Sequence, residues 1–237
     1  MNQRLYFLTV AVLFAVLVSA EPTGYKDLTQ EAPNPLQHKK FHFDSSCDGT
    51  ENSNGTTAIA CPAKTYPFAL SLLDVEPKDI SIGGEAVVLL RLTNVGHDPA
   101  IVPWGTNPDL IELPNENGSY EYLESNLTAS LVSARGSARF RIPVSMYGTE
   151  EVEGTIKQIN PGDSVEIRSK LALDCKSEER RCSLLSPGIA KLSFIWSEHR
   201  RGAIYEKCKI DYSSTRLREL LSDTAIVEIQ ENDASAW

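Results

Sequence analysis

The stretch from Ile159 to Leu173 constrains the fold more than any other part of the chain. It opens with Asn160-Pro161-Gly162-Asp163, in which proline presets φ for the first central position of a turn and glycine accepts a positive φ at the second. The residues that follow alternate between apolar and polar: Val165, Ile167, Leu171 and Leu173 on one side, and Ser164, Glu166, Arg168 and Lys170 on the other. This pattern predicts a β-strand with one buried face and one face in water.

Similar segments lie on both sides of this stretch. Glu85–Val95 is apolar on both faces, which predicts a central strand, whereas Ala100–Trp104 contains Pro103, which favours an edge. Ala190–Trp196 alternates again and places Trp196 in the core. Further along the chain, the patterns predict a hairpin tip at Arg200-Arg201-Gly202, a strand from Ala203 to Tyr212, a helix over Ser214–Leu221 and a closing strand over Thr224–Gln230.

These elements define the expected fold class. Roughly nine or ten strands at intervals of about 8 to 15 residues predict an all-β protein, an antiparallel β-sandwich with one short C-terminal helix. The expected organisation is a signal peptide over residues 1–20, an irregular N-terminal segment over 21–65, the β-sandwich over 66–230 and an acidic tail over 231–237.

The first twenty residues have the pattern of a signal peptide. Arg4 precedes an uncharged apolar run, Leu5–Val18, and small residues end it at Val18-Ser19-Ala20. The run is short for a membrane span, and no later stretch is apolar enough to form one. We therefore expect a mature chain that begins at Glu21, has no membrane span and is secreted or periplasmic.

The charge balance argues against one class of partner. The chain carries 32 acidic and 23 basic residues, a formal net charge of −9. Binding to nucleic acid requires a cationic face that neutralises phosphates, so nucleic acid is not expected as a partner.

Five cysteines fit an oxidising compartment. Cys47 and Cys61 flank a polar loop, Cys175 and Cys182 flank a second one, and both spans could close as local disulfides. Cys208 is then either a free thiol or the partner of one of the second two. The spacing matches no recognised zinc ligand set, and neither a metal nor a cofactor is expected.

Three segments together resemble a known family of domains. They are Gly84–Asn94, Asn160–Ile167 and Pro187–Trp196, and their order is similar to that in immunoglobulin-like or fibronectin-III-like domains of exported proteins. Related modules occur in proteinase-inhibitor-like proteins and in the pro-domains of secreted metalloproteases. The resemblance implies an immunoglobulin-like β-sandwich, although the chain has no cysteine pair across the sheets with a tryptophan between them.

The chain shows no catalytic motif. A His-Glu-x-x-His pair, a Gly-x-Ser-x-Gly elbow and a phosphate loop are all absent from the sequence. The first hypothesis is therefore a non-enzymatic binding module that contacts a protein or a glycan through loops at one end. The candidate contact residues are Trp104, His199, Arg200 and Arg201.

Two alternative functions remain. The first is an inhibitor of a trypsin-like proteinase, which Arg180 and Arg181 within the Cys175–Cys182 loop would suit. The second is a hydrolase whose paired carboxylates would leave no sequence motif.

Arg135, Arg139 and Arg141 lie around one turn. The simpler interpretation is a solvated edge of the sheet, and the alternative is a docking site for an acidic partner. Three Asn-x-Ser/Thr triplets are possible N-glycosylation sites, with the acceptors Asn54, Asn117 and Asn126.

Overall fold

The computed structural model describes residues 21–31, 67–107, 119–173, 182–206 and 209–231 of the chain. Within these residues the protein is an all-β structure with several sheets. The strands are β1 (Gly24–Asp27), β2 (Phe68–Glu76), β3 (Asp79–Ser81), β4 (Glu85–Asn94), β5 (Ala100–Pro103), β6 (Ser119–Val132), β7 (Ser137–Arg141), β8 (Met146–Gly148), β9 (Ile156–Ile159), β10 (Ser164–Ala172), β11 (Gly188–Glu206), β12 (Lys209–Leu221) and β13 (Ala225–Gln230).

The first sheet has four strands in the order β1-β10-β4-β2. The predicted turn forms, since Gly162 has a φ of 83° and the Asp163 amide donates to the Asn160 carbonyl over 3.0 Å. It leads into β10, on which Val165, Ile167 and Leu171 are fully buried. β4 lies between β10 and β2, which confirms the prediction of a central strand.

The second sheet has seven strands, and β11 and β6 form its middle. Its main order is β3-β13-β11-β6-β7, while β12 pairs with the second half of β11 and β8 pairs with β6. The turn predicted at Arg135-Gly136 connects β6 to β7. β5 pairs with β9 in a two-stranded sheet, which agrees with the edge position that its proline predicted.

The buried side chains of both larger sheets belong to one hydrophobic cluster. Trp196 and Phe194 on β11 are its largest fully buried members, together with Phe140 on β7, and β4 contributes Val88 and Leu90. Trp196 is therefore a core residue, as predicted from its alternation.

The predicted helix over Ser214–Leu221 is wrong. These residues belong to β12, which pairs antiparallel with β11 from Leu221 opposite Ile195 to Lys209 opposite Glu206. The leucine spacing at 217, 220 and 221 fits a helical face when the segment is considered alone. In the folded chain the long edge of β11 supplies backbone hydrogen bonds, and this tertiary pairing overrides the local pattern.

The hairpin tip predicted at Arg200-Arg201-Gly202 is also wrong. β11 continues without a turn to Glu206, and β12 begins at Lys209, so the connection comes at least four residues later than expected.

A further difference concerns the N-terminal segment, which was expected to be irregular. Its residues Gly24–Asp27 form β1 and pair in parallel with β10.

Candidate binding site

A row of paired residues crosses the seven-stranded sheet near one end. Gly105 pairs with Tyr147, Tyr147 with Glu124 on β6, Glu124 with His199 on β11, and His199 with Arg216 on β12. Residues opposite each other in a sheet project to the same side. The row therefore places Tyr147, Glu124 and His199, which are distant in sequence, on one face, the side of the sheet that points away from the core.

Glu124 lies at the centre of this row, and its side chain is only 4% exposed. The Arg201 Nε donates to its Oε2 over 2.6 Å, and the Arg141 Nη2 lies 3.9 Å from its Oε1. Two guanidinium groups thus share one carboxylate, which leaves one positive charge in excess among these three side chains. A short charge-assisted hydrogen bond of this kind compensates a buried carboxylate for the loss of water.

Asn126 connects the two arginines to the chain that follows β7. Its Nδ2 donates to Glu124 Oε1 over 3.2 Å, and its Oδ1 accepts from Arg141 Nη2 and from Ser145 Oγ over 2.5 and 2.7 Å. The side-chain amide is therefore held in one orientation. The nitrogen that bonds Glu124 is also the atom to which a glycan at this predicted acceptor would be attached.

Two tyrosines complete the cluster. Tyr122 pairs with Arg201 in register, and its ring lies 6.4 Å from that of Tyr147, with a tilt of 55°. Burial raises the pKa of the Tyr147 phenol; the neighbouring Glu124 charge raises it further, and a hydrogen bond with Ser145 opposes the shift. We name Tyr122, Glu124, Arg141, Tyr147 and Arg201 the arginine–tyrosine cluster.

The cluster contains one predicted contact residue and lies beside two others. Arg201 is a member, and His199 is opposite Glu124 on the same face. Arg200 projects to the other side of β11, where it lies 3.9 Å from Glu121. None of the three lies at a hairpin tip, and the β6–β11 pair brings only His199 and Arg201 to the same face.

Trp104 belongs to a different environment. Gly105, the next residue in the chain, belongs to the row of paired residues that includes Tyr147, whereas the partly buried Trp104 ring packs against the core. The Lys157 ammonium lies 5.8 Å from the ring centroid, within the range of a cation–π interaction. The structure therefore does not combine Trp104 with His199 and Arg201 in one contact surface.

Other residues singled out in the sequence lie outside the described part of the chain. They are Arg180, Arg181, Cys47, Cys61, Cys175, Cys208, Asn54 and Asn117. Cys182 is buried and disulfide-bonded. Because the other four cysteines are not described, its pairing with Cys175 stays a prediction, as does the inhibitory role of the arginines.

A second buried carboxylate lies on the core side of the same strand pair. Glu198 is fully buried and opposite Ser125, and neither side chain has a hydrogen-bond partner among the described residues. Burial raises the pKa of Glu198 to about 7, and the positive charge of Arg218, whose Nη1 lies 3.6 Å from Oε1, opposes the shift.

Glu124 and Glu198 do not form a catalytic pair. They occupy adjacent rows of the β6–β11 ladder but project to opposite sides of the sheet. The two carboxyl groups of a glycosidase must flank one scissile bond, so they must face the same cleft. This geometry removes these two residues as the paired carboxylates of a hydrolase.

The sequence patterns do not single out the acidic half of the cluster. Glu124 is separated from Arg201 by 77 residues, and only the register of β6 on β11 brings them together. One signal was present: Glu124 and Asn126 alternate on a strand whose other side is apolar, and Arg139 and Arg141 follow on the next strand. The hairpin between these strands predicts that the four side chains share a face.

Among the described residues, no group of three or more histidine, cysteine, aspartate or glutamate side chains is arranged to hold a metal ion. No helix in this part of the chain has the length and apolar character needed to cross a membrane.

Comparison with known proteins does not place the chain in a family. No protein-family model matches it, and no curated protein does so either. Among solved structures, the DNA-bound alkylpurine DNA glycosylase AlkC of Pseudomonas fluorescens matches with 12% identity and a TM-score of 0.34, over 69% of this chain and 30% of that one.

Two other solved structures are similarly distant. The sporulation control protein Spo0M of Bacillus subtilis has 10% identity and a TM-score of 0.30, over 70% of this chain and 51% of that one. The ApaA protein of Bordetella pertussis has 16% identity and a TM-score of 0.29, over 68% and 95%. This chain spans about a third to a half of the length of the first two. The TM-scores are too low for these proteins to indicate a function.

Proposed function

We propose that this protein is an exported, non-enzymatic binding module built as an immunoglobulin-like antiparallel β-sandwich. Two packed sheets that are antiparallel except at the edge strands β1 and β3 support this architecture. The partner is a protein with acidic side chains, and the contact surface is the arginine–tyrosine cluster together with Arg139, which is exposed on the same face.

One observation carries the proposal: Arg141 and Arg201 converge on a single buried carboxylate. The excess positive charge is located on Arg141, whose side chain is 62% exposed and only weakly paired with Glu124. The network holds the guanidinium through Asn126 and Ser145, so little rotamer entropy is lost when it binds a carboxylate. Arginine is also among the residue types that contribute most binding energy at protein interfaces.

The aromatic side chains of the cluster favour a protein over a neutral glycan. A sugar ring would stack on an exposed aromatic face, but Tyr147 is 2% exposed and Tyr122 is half-buried. The exposed groups are instead guanidiniums, which match carboxylates in geometry and charge.

The test uses a short polyglutamate peptide as the probe. Its binding to the purified chain is measured by fluorescence anisotropy at increasing salt, with Arg141→Gln as the variant. The control is Arg168→Gln, which removes a partly exposed arginine from the outer face of the other sheet, where Arg168 lies 3.6 Å from Asp27.

We expect Arg141→Gln to weaken binding by about two- to fivefold, the factor that corresponds to an exposed ion pair, and Arg168→Gln to leave it unchanged. Salt should weaken the wild-type interaction. The proposal fails if the peptide does not bind, or if both variants weaken binding equally. Tighter binding of a sulfated glycan than of the peptide would overturn the choice of a protein partner.

A further inference from the structure

The other half of the same sheet presents an apolar surface with a regular charge pattern. Ile189 and Ile226 are 68% and 55% exposed, and they lie on the face of β11 and β13 that points away from the core. Val132 on β6 extends the surface, because it is 47% exposed and opposite Lys191. Contiguous exposed apolar side chains with a polar rim are typical of sites that bind another protein.

Four residues form the corners of a rectangle, about 5 Å across the strands and about 7 Å along them. Ile189 is opposite Glu228, and Lys191 is opposite Ile226, so the two isoleucines occupy one diagonal and the two charges occupy the other. Both charged residues are exposed, and neither side chain forms an ion pair within the described part of the chain. We name Ile189, Lys191, Ile226 and Glu228 the isoleucine square.

This arrangement is complementary to itself. A two-fold axis along the Ile189–Ile226 diagonal, in the plane of the contact, places each isoleucine against its own counterpart in a second copy. The same axis places Lys191 opposite Glu228 of the second copy and Glu228 opposite its Lys191. An isologous interface requires this reciprocity, in which residue i contacts residue j and j contacts i.

We propose that the isoleucine square is the centre of a homodimer interface, with a second copy of this chain as its partner. The surface is distinct from the arginine–tyrosine cluster, so it goes beyond the proposed function and leaves the cluster accessible. The surface is small. It measures about 14 Å across four strands and about 20 Å along β11 from Ile189 to Ile195. A contact of this size would bury on the order of 300 Å² per copy, well below the ~800 Å² per copy of a standard interface. The dimer is therefore weak and depends on concentration.

The experiment is a charge-reversal cycle read by sedimentation equilibrium of the purified chain, at low salt and at concentrations from about 10 µM to 1 mM, which cover the range expected for a weak interface. The variants are Lys191→Glu, Glu228→Lys and the double variant. Both changed residues lie on an exposed surface, so the fold of all three variants should survive, which circular dichroism verifies.

A matched control is available on the other sheet. Lys170 and Glu85 form an exposed pair there, 3.8 Å apart, and the same three changes can be made to them. We expect each single reversal in the isoleucine square to lower the association constant at least about tenfold, since it places like charges together twice across the axis. The double variant should restore association, and the control set should not alter it.

Three outcomes would overturn the proposal. A wild-type chain that stays monomeric at the highest concentration removes the dimer. Association that is unaffected by the single reversals moves the interface elsewhere. A double variant that stays as weak as the single ones removes the Lys191–Glu228 reciprocity. None of these results depends on whether the polyglutamate peptide binds Arg141, so the two proposals fail separately.

Discussion

Ser125 and Glu198 lie opposite each other on the core side of β6 and β11, and neither side chain has a hydrogen-bond partner in the described part of the protein. A buried carboxylate without hydrogen bonds is held in its neutral form until the pH is well above its ordinary pKa. This relationship makes the stability of the protein depend on pH near neutrality.

The first prediction concerns Glu198→Gln. The pKa of Glu198 is raised from 4.5 to about 7 in the folded chain. The folded state therefore holds this proton more tightly than the unfolded state, and the resulting stabilisation of the fold is complete below pH 4.5 and is lost as the pH rises to about 7. Over this window the free energy of unfolding should fall by about 3 kcal/mol in the wild type, an order-of-magnitude value. Urea unfolding at several pH values should show that the glutamine variant lacks this loss.

Glu228→Gln is the control, since it changes an exposed glutamate on the same sheet. Equal pH dependence in the wild type and in Glu198→Gln would contradict the assignment of the neutral carboxyl to Glu198.

The second prediction distinguishes the two arginines of the cluster. Arg201→Ala leaves the buried Glu124 carboxylate without its 2.6 Å partner and should lower the free energy of unfolding by about 3 kcal/mol. Arg141→Ala removes an exposed group at 3.9 Å and should cost less than about 1 kcal/mol. Chemical denaturation measures both values. Equal losses would mean that Glu124 is not neutralised mainly by Arg201.

The third prediction concerns Asn94, a fully buried residue at the end of β4. Its Nδ2 donates to the carbonyls of Asp98 and Ile159, and its Oδ1 accepts from the Gly96 amide, each over 2.9 Å. Asn94→Ala leaves these three backbone groups without the side chain and should cost about 2 to 4 kcal/mol.

Asn94→Asp is the informative comparison. It keeps an acceptor for Gly96 but loses both donors and buries a charge, so it should be at least as destabilising as alanine at neutral pH. Thermal unfolding that is unchanged in both variants would show that the side chain does not connect β4 to β9.

The fourth prediction uses the same substitution at two glycines. A Cβ at Gly24 would meet the Lys157 Cε, the mobile end of a side chain, whereas a Cβ at Gly148 would meet the backbone carbonyl oxygen of Thr155. Gly24→Ala should therefore cost less than about 1 kcal/mol, because lysine can move, and Gly148→Ala should cost about 2 kcal/mol or more. Denaturant midpoints of the two variants test this order, and the reverse order would contradict it.

Local patterns predicted the parts of the fold that depend on local chemistry. The turn at Asn160–Asp163, the buried face of β10 and the central position of β4 follow from proline, glycine and alternation over about ten residues. The same local patterns did not predict the C-terminal part of β12 as a strand, because its leucine spacing fits a helix. Its strand geometry comes from pairing with β11. β1 was missed because it has four residues and its partner β10 is about 140 residues away.

The candidate binding site could be predicted from the sequence only in part, for the same reason. Arg201 was selected as a charged residue at an expected tip, but its environment depends on Glu124, which reaches it through the register of two long strands. The cluster depends in addition on β8, which places Tyr147 opposite Glu124. No local pattern encodes pairings between segments so far apart in sequence.

The most direct test of the binding proposal is an NMR titration of the ¹⁵N-labelled chain with the polyglutamate peptide. The proposal predicts salt-sensitive shift changes in the amides of Tyr122, Asn126, Arg139, Arg141 and Arg201, with the outer face of the four-stranded sheet unaffected. Changes confined to that other face, around Arg91 and Arg168, or no changes at all, would contradict the assignment of the arginine–tyrosine cluster as the contact surface.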